Sequence, residues 1–148
     1  MELTNIRELY REKEKYIGKE INIGGWIRGN RDSKSFGFLV VNDGTFFETL
    51  QIVYSDKLDN FTDICKLNIG AAVVAKGMIV ATPDAKQPFE MQALEICVEG
   101  ESTADYPLQK KRHTFEYLRT ITHLRARTNT FEAVFRVRSL AAYAIHKF

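Results

Sequence analysis

Cysteine, proline and long apolar runs are all scarce in this sequence, and each scarcity excludes something. Only two cysteines are present, Cys65 and Cys97, and they stand far apart. No C-x-x-C pair occurs and no His flanks either Cys at ligand spacing, which argues against a four-ligand zinc site or a redox dithiol. Both are expected as buried free thiols in a reducing compartment. No apolar stretch approaches the ~20 residues of a membrane-spanning helix, so no membrane partner is expected. The opening segment, MELTNIRELYREKEKYIGKE, carries both signs of charge and lacks the apolar core of a secretory signal. Its glutamates also argue against a transit peptide, so a cytoplasmic location is expected. A net charge of +2 is too small to argue for nucleic acid by itself.

What is present is ordinary in bulk and uneven in detail. With 148 residues, 45% apolar and 27% charged, the chain can bury one domain's core plus a partial element. Residues 1–39 hold 8 Lys/Arg against 6 Asp/Glu, residues 40–100 hold 4 against 9, and residues 101–148 hold 9 against 4. The basic excess therefore lies at the two ends. Such a run suits either a solvated face or a polyanion-facing one.

Hydrophobic period divides the chain. Residues 4–16 read as an amphipathic helix with Thr4 as N-cap and Gly18 as its stop. From Glu20 the period becomes two, and EINIGGWIRGNRD reads as a strand whose Gly24-Gly25 pair suggests a bulge or bend. A polar loop near Asp32–Ser35 leads to a second strand, FGFLVV. The turn signal Asn42-Asp43-Gly44 then precedes a third strand at Glu48–Ser55. A helix is expected across SDKLDNFTDICKL, capped by Ser55 or Asp56. AAVVAKGMIVAT and FEMQALEICVEG follow as strands, separated by a turn between Pro83 and Pro88. Three strands, a helix and two strands form the layout of an OB-fold, a five-stranded Greek-key barrel. The fold class expected is thus all-β with added helices: residues 1–100 a barrel with an N-terminal helix, 101–112 a linker, and 113–148 a helical segment. In TFEAVFRVRSLAAYAIHKF the apolar stripe stays open to Phe148, which reads as a truncation.

An OB-fold binds single strands on the face of its first three strands, with aromatic rings for bases and basic side chains for phosphate. Arg28, Arg31, Phe36, Phe38 and Gln51 fall there. Phe36 and Phe38 share one face of their strand and Leu39 and Val41 the other. Pattern alone leaves the two rings as either core or stacking platform. Gln51 offers a donor and an acceptor to one base edge, or simply faces solvent. His113, His123 and His146 make no triad with a Ser or Cys at recognisable spacing, and no catalytic, cofactor or metal residue is assigned.

The stretch GGWIRGNRDSKSFGFLVVNDG followed by LQIVYS resembles the anticodon-binding domain of the class II synthetases for aspartate, asparagine and lysine. Gly25-Trp26, Arg31, Phe38 before Asn42-Asp43-Gly44, and Gln51 carry the likeness. Within that group, YPLQKKRH followed by HLRARTN resembles the asparaginyl enzymes. The last helix resembles the start of class II motif 1, part of the catalytic-domain dimer interface. The resemblance covers essentially the whole chain. It implies that Phe38 stacks on the central anticodon uridine, Gln51 bonds that base's edge, and Arg31 contacts base or phosphate. Glu90 would read a neighbouring anticodon base, and Arg28 would join the anticodon-binding set. Four residues, Thr45–Glu48, look inserted relative to the aspartate enzymes.

The same resemblance implies tRNA(Asn) as partner and an intact enzyme that is a homodimeric asparagine–tRNA ligase using ATP and Mg²⁺. Class II motifs 2 and 3 are absent, as is any G-x-x-x-x-G-K. These residues alone are therefore expected to recognise tRNA without cofactor or catalysis. The alternative expectation is a stand-alone OB-fold protein binding single-stranded nucleic acid. A third takes residues 113–148 as a dimerisation hairpin on a barrel scaffold.

Overall fold

The structure, a computed structural model, describes residues 2–148. The chain divides into two compact units, Met1–Lys110 and Lys111–Phe148. In the first, strands β1 (Glu20–Asp32), β2 (Phe36–Asn42), β3 (Leu50–Ser55), β4 (Ala72–Ala81) and β5 (Phe89–Gly100) close into a barrel in the order β1-β2-β3-β5-β4. Every pair is antiparallel except the β3–β5 seam, where Ile52 faces Met91 and Val53 faces Gln92 in parallel. This is the OB-fold the strand order predicts.

Strand β1 belongs to both sides of the barrel. Residues 20–26 pair with β4 and residues 26–32 with β2. A strand shared in this way must turn sharply, and the sequence places a glycine pair there. A Cβ on Gly25 would stand 2.7 Å from Val41 Cγ1 and 2.8 Å from the Asn42 carbonyl oxygen. The bulge itself is elsewhere: the register slips between Ile27 and Gly29, so Arg28 is the extra residue. The glycines serve close approach and the bulge serves curvature.

Alternation along the strands sends Ile23, Ile27, Leu39, Ile52, Ile79 and Met91 inward, all with no exposed surface. Each fully buried side chain of this size contributes ~1.5–3 kcal/mol. Ile6 and Leu9, from α1 (Ile6–Arg11), join the same core. Tyr10 reaches Phe46 and Phe89 at ring distances of 5.2 and 4.8 Å.

The N-terminal helix begins one residue later than its sequence suggests. Asn5, not Thr4, is the cap, its Oδ1 accepting from the Glu8 amide at 2.8 Å. The Thr4 amide instead donates to the Asn22 carbonyl at 2.9 Å. The helix also breaks at Glu12 and resumes as α2 (Lys13–Tyr16). A second cap comes from the chain far ahead. Asp43 Oδ2 accepts from the Ile6 amide at 2.7 Å, and Thr45 Oγ1 accepts from the Arg7 amide at 3.1 Å. The Asn42-Asp43-Gly44 turn is thus not a tight hairpin. Its connection occupies residues 43–49, and β3 starts at Leu50 rather than Glu48.

The helix between β3 and β4 is shorter than its apolar stripe suggests: α3 spans Phe61–Cys65. Ser55 stays in β3, and Asn60 donates to the Ile96 carbonyl at 2.7 Å. At the far end, Asn30 Nδ2 donates to the carbonyls of Ile64, Cys65 and Leu67 at 2.8, 3.3 and 3.2 Å. Those carbonyls lie at the end of α3 and just past it, where a helix runs short of amide partners. Tyr54 Oη donates to Asn30 Oδ1 at 2.9 Å, which fixes the amide. Beyond β5, the Tyr106 ring lies over Gly70, whose φ is +92°.

The second unit holds α4 (Phe115–Thr120), a 3-10 turn at Arg125–Arg127, and α5 (Asn129–Lys147). A helical segment is expected across 113–148, but residues 122–127 form turns. Thr128 is the residue before α5, and its hydroxyl donates to the Arg125 carbonyl at 2.6 Å. Phe131 meets Phe115 and Phe135 at 6.0 and 5.9 Å, with the Arg125 guanidinium 5.0 Å from its centre. Val137, Leu140 and Ile145 of α5 are exposed. Among the described residues, no helix is long and apolar enough to cross a membrane.

Candidate nucleic-acid interface

Because Leu39 and Val41 fill the interior, Phe36 and Phe38 point outward. That settles the choice between core and outer face which pattern left open. Phe36 is 42% exposed, and its ring meets that of Phe38 edge-on at 5.5 Å. In the ladder, Arg31 of β1 stands opposite Phe38, and Phe38 opposite Val53 of β3. Gln51, also on β3, stands opposite Val40 and shares the outer face. The residues at Thr45–Glu48 lie in the loop before β3 and leave this register regular.

These strands enclose an open cleft of about 390 Å³ lined by Arg31, Asp32, Ser33, Phe36, Phe38 and Gln51. Of the residues singled out in the sequence, Arg31, Phe36, Phe38 and Gln51 are brought together there, and Arg28 and Glu90 are not. Its rim is fixed by the β1–β2 turn, where the Ser33 amide donates to the Phe36 carbonyl at 2.7 Å. The Asp56 amide donates to the Ser35 carbonyl at 3.0 Å, pinning the same turn to the end of β3. The cleft thus joins two aromatic faces, one guanidinium, one carboxylate and one carboxamide. Rings of that kind stack on bases, and an amide with a free edge pairs with one.

Glu90 and Arg28 are placed differently. Glu90, on β5, does not line the cleft, but its Oε2 accepts from Gln51 Nε2 at 3.1 Å. Arg28 sits in the β1 bulge and is not a lining residue either. Asp32 and Ser33 were not singled out in the sequence. Only the β1–β2 register, which puts Asp32 opposite Gly37, brings them beside the rings. Among the described residues no three of His, Cys, Asp or Glu come together as a metal ion requires.

Behind the cleft, Tyr54 is buried with its hydroxyl 3.8 Å from Cys65 Sγ. Burial above all, then the Cys65 thiol and the negative charge of Asp32, push the phenol well above its ordinary value. Cys97, by contrast, is exposed rather than buried, and Cys65 is partly so. Hydrogen bonding to Glu99 raises the Cys97 thiol.

Residues 21–99 match the family described as OB-fold nucleic acid binding domain. The chain is 63% identical, over its whole length, to an asparagine–tRNA ligase of Acetivibrio thermocellus and 59% identical to one of Clostridium botulinum. It spans about a third of those relatives, 32% of each. Among solved structures it is similar to the asparaginyl-tRNA synthetase of Pyrococcus horikoshii complexed with asparaginyl-adenylate. That match has a TM-score of 0.85 and 22% identity, covering 99% of this chain and 34% of that one. At that identity the likeness is one of fold.

Proposed function

Because the chain belongs to the OB-fold nucleic acid binding domain family, we propose that it recognises a tRNA anticodon as the N-terminal part of an asparagine–tRNA ligase. The identity with two such ligases over the chain's whole length supports this reading. One observation of geometry carries it: Arg31, Phe38 and Gln51 line a single cleft on the outer face of β1, β2 and β3. In the proposed complex, the middle anticodon uridine stacks on Phe38. Gln51 bonds its edge, and Arg31 neutralises phosphate or meets a base. Arg28, three residues before Arg31 on β1, extends the basic edge, and Glu90 acts at the β5 side.

The partner is tRNA(Asn), the compartment the cytoplasm, and residues 113–148 begin the catalytic part through which the enzyme forms a homodimer. ATP and Mg²⁺ supply the activation of asparagine. No chemical step is assigned to these residues. Their task is to bind, to orient and to discriminate.

Phe38→Ala tests the reading. Losing one stacked base weakens binding to an asparagine anticodon stem-loop by ~1–3 kcal/mol. Equal affinity of the wild type and the variant, measured by fluorescence anisotropy, removes Phe38 from the site.

A further inference from the structure

An amide side chain reads a base edge in either of two senses, and the barrel closure removes one of them here. Strands β3 and β5 run parallel with Ile52 opposite Met91, both without exposed surface. Gln51 and Glu90 precede that pair by one residue each and therefore both point outward. Their side chains meet, Gln51 Nε2 donating to Glu90 Oε2 at 3.1 Å. An ionised carboxylate only accepts, so the nitrogen of the Gln51 amide must face Glu90 and its Oε1 must face away. A half-turn of the amide would set Oε1 against a carboxylate oxygen and lose the bond.

That half-turn matters for base identity. At the edge where uracil presents O4 as acceptor and N3–H as donor, cytosine presents an N4 amino donor and an N3 acceptor. The two pyrimidines thus differ by exchanging both groups, and an amide flip exchanges both groups of a glutamine. A glutamine free to flip pairs with either base at one stacked position. A glutamine held in one sense pairs with only one of them.

We propose that Glu90 is a positioning residue that locks the Gln51 amide in a single sense, so that the cleft accepts uracil and rejects cytosine at the stacked position. The proposal rests on the anticodon reading above and assigns Glu90 a task it performs through Gln51. Its geometry agrees: Gln51 lines the cleft whereas Glu90 does not.

The full chain, its Glu90→Gln variant and its Glu90→Ala variant are titrated with two RNA stem-loops that differ only in uridine or cytidine at the middle anticodon position. Wild type prefers the uridine loop. In Glu90→Gln the neighbouring amide pairs with Gln51 in either sense, and in Glu90→Ala nothing holds it. In both, the uridine-over-cytidine ratio falls by on the order of tenfold, the value of one mispaired edge, because the cytidine loop binds more tightly. A residue that only shapes the barrel would weaken both loops alike. If the variants lose affinity equally for the two loops and keep the wild-type ratio, the lock is wrong and the anticodon reading stands. If wild type itself does not distinguish the loops, the anticodon reading fails and the lock falls with it.

Discussion

Gly37 lies in β2 where the Tyr54 ring crosses the strand, and a Cβ there would collide with the ring's Cζ and Oη atoms. Tyr54 cannot yield, because it is buried and its hydroxyl is bonded to Asn30. Gly37→Ala therefore overpacks the core beside Phe38 and lowers stability by ~1–3 kcal/mol, read as a shift in the urea midpoint. The same tyrosine gives a pH signature. Its phenol is raised in the folded state, chiefly by burial. The folded chain thus holds that proton more tightly than the unfolded one. The contribution is complete below the ordinary tyrosine value of about 10 and is lost as pH rises above it. An alkaline titration followed by tyrosinate absorbance should show one phenol ionising only as the chain unfolds, and Tyr54→Phe should remove that component.

Residue roles were unevenly legible in the sequence. Phe38 and Gln51 lie on strands of clear alternation, so their shared face follows from parity once the interior is known. Parity alone could not say which apolar face of FGFLVV was interior, because both are hydrophobic. Pairing of Val41 with Ile27 and of Leu39 with Ile52 decides it. The Gln51–Glu90 contact spans 39 positions across a parallel seam, and no local pattern announces such a contact.

At the scale of elements, period two was a better guide than helical period. The bounds of β1 and β5 agree with the alternation of apolar residues, since a barrel strand is held on both sides by its neighbours. The helices depart from expectation because distant side chains set their ends. Asp43 and Asn5 share the start of α1, and Asn30 holds the end of α3. Asp43 accepts from the Ile6 amide and also from the amide and hydroxyl of Thr45. Asp43→Ala leaves that first-turn donor without its partner and should cost ~1–2 kcal/mol, the usual value of a lost cap. Thermal unfolding of the variant checks this. An unchanged midpoint would mean that Asn5 alone suffices.

For the molecule as a whole, the charge balance bears on how it binds. Residues 40–100, which supply the end of β2 and all of β3, β4 and β5, carry the acidic excess, while Arg28 and Arg31 come from β1. With so few cations at the cleft, stacking and edge pairing must supply most of the affinity. Binding should then weaken only shallowly with added salt, by fewer than about three counterions released. A steep salt slope would place the main contact on the basic residues beyond 100 instead. The barrel was readable from the order of its elements. The second unit's turns at 122–127 were not, because that segment has no period of its own.

The central claim is that this barrel reads an anticodon rather than any single strand. Direct competition between an asparagine anticodon stem-loop and an unstructured oligonucleotide of equal length and charge tests it. The account predicts that the stem-loop displaces the oligonucleotide from the wild-type chain and that Phe38→Ala abolishes the advantage. Equal competition by the two RNAs would contradict it and leave a general single-strand binder.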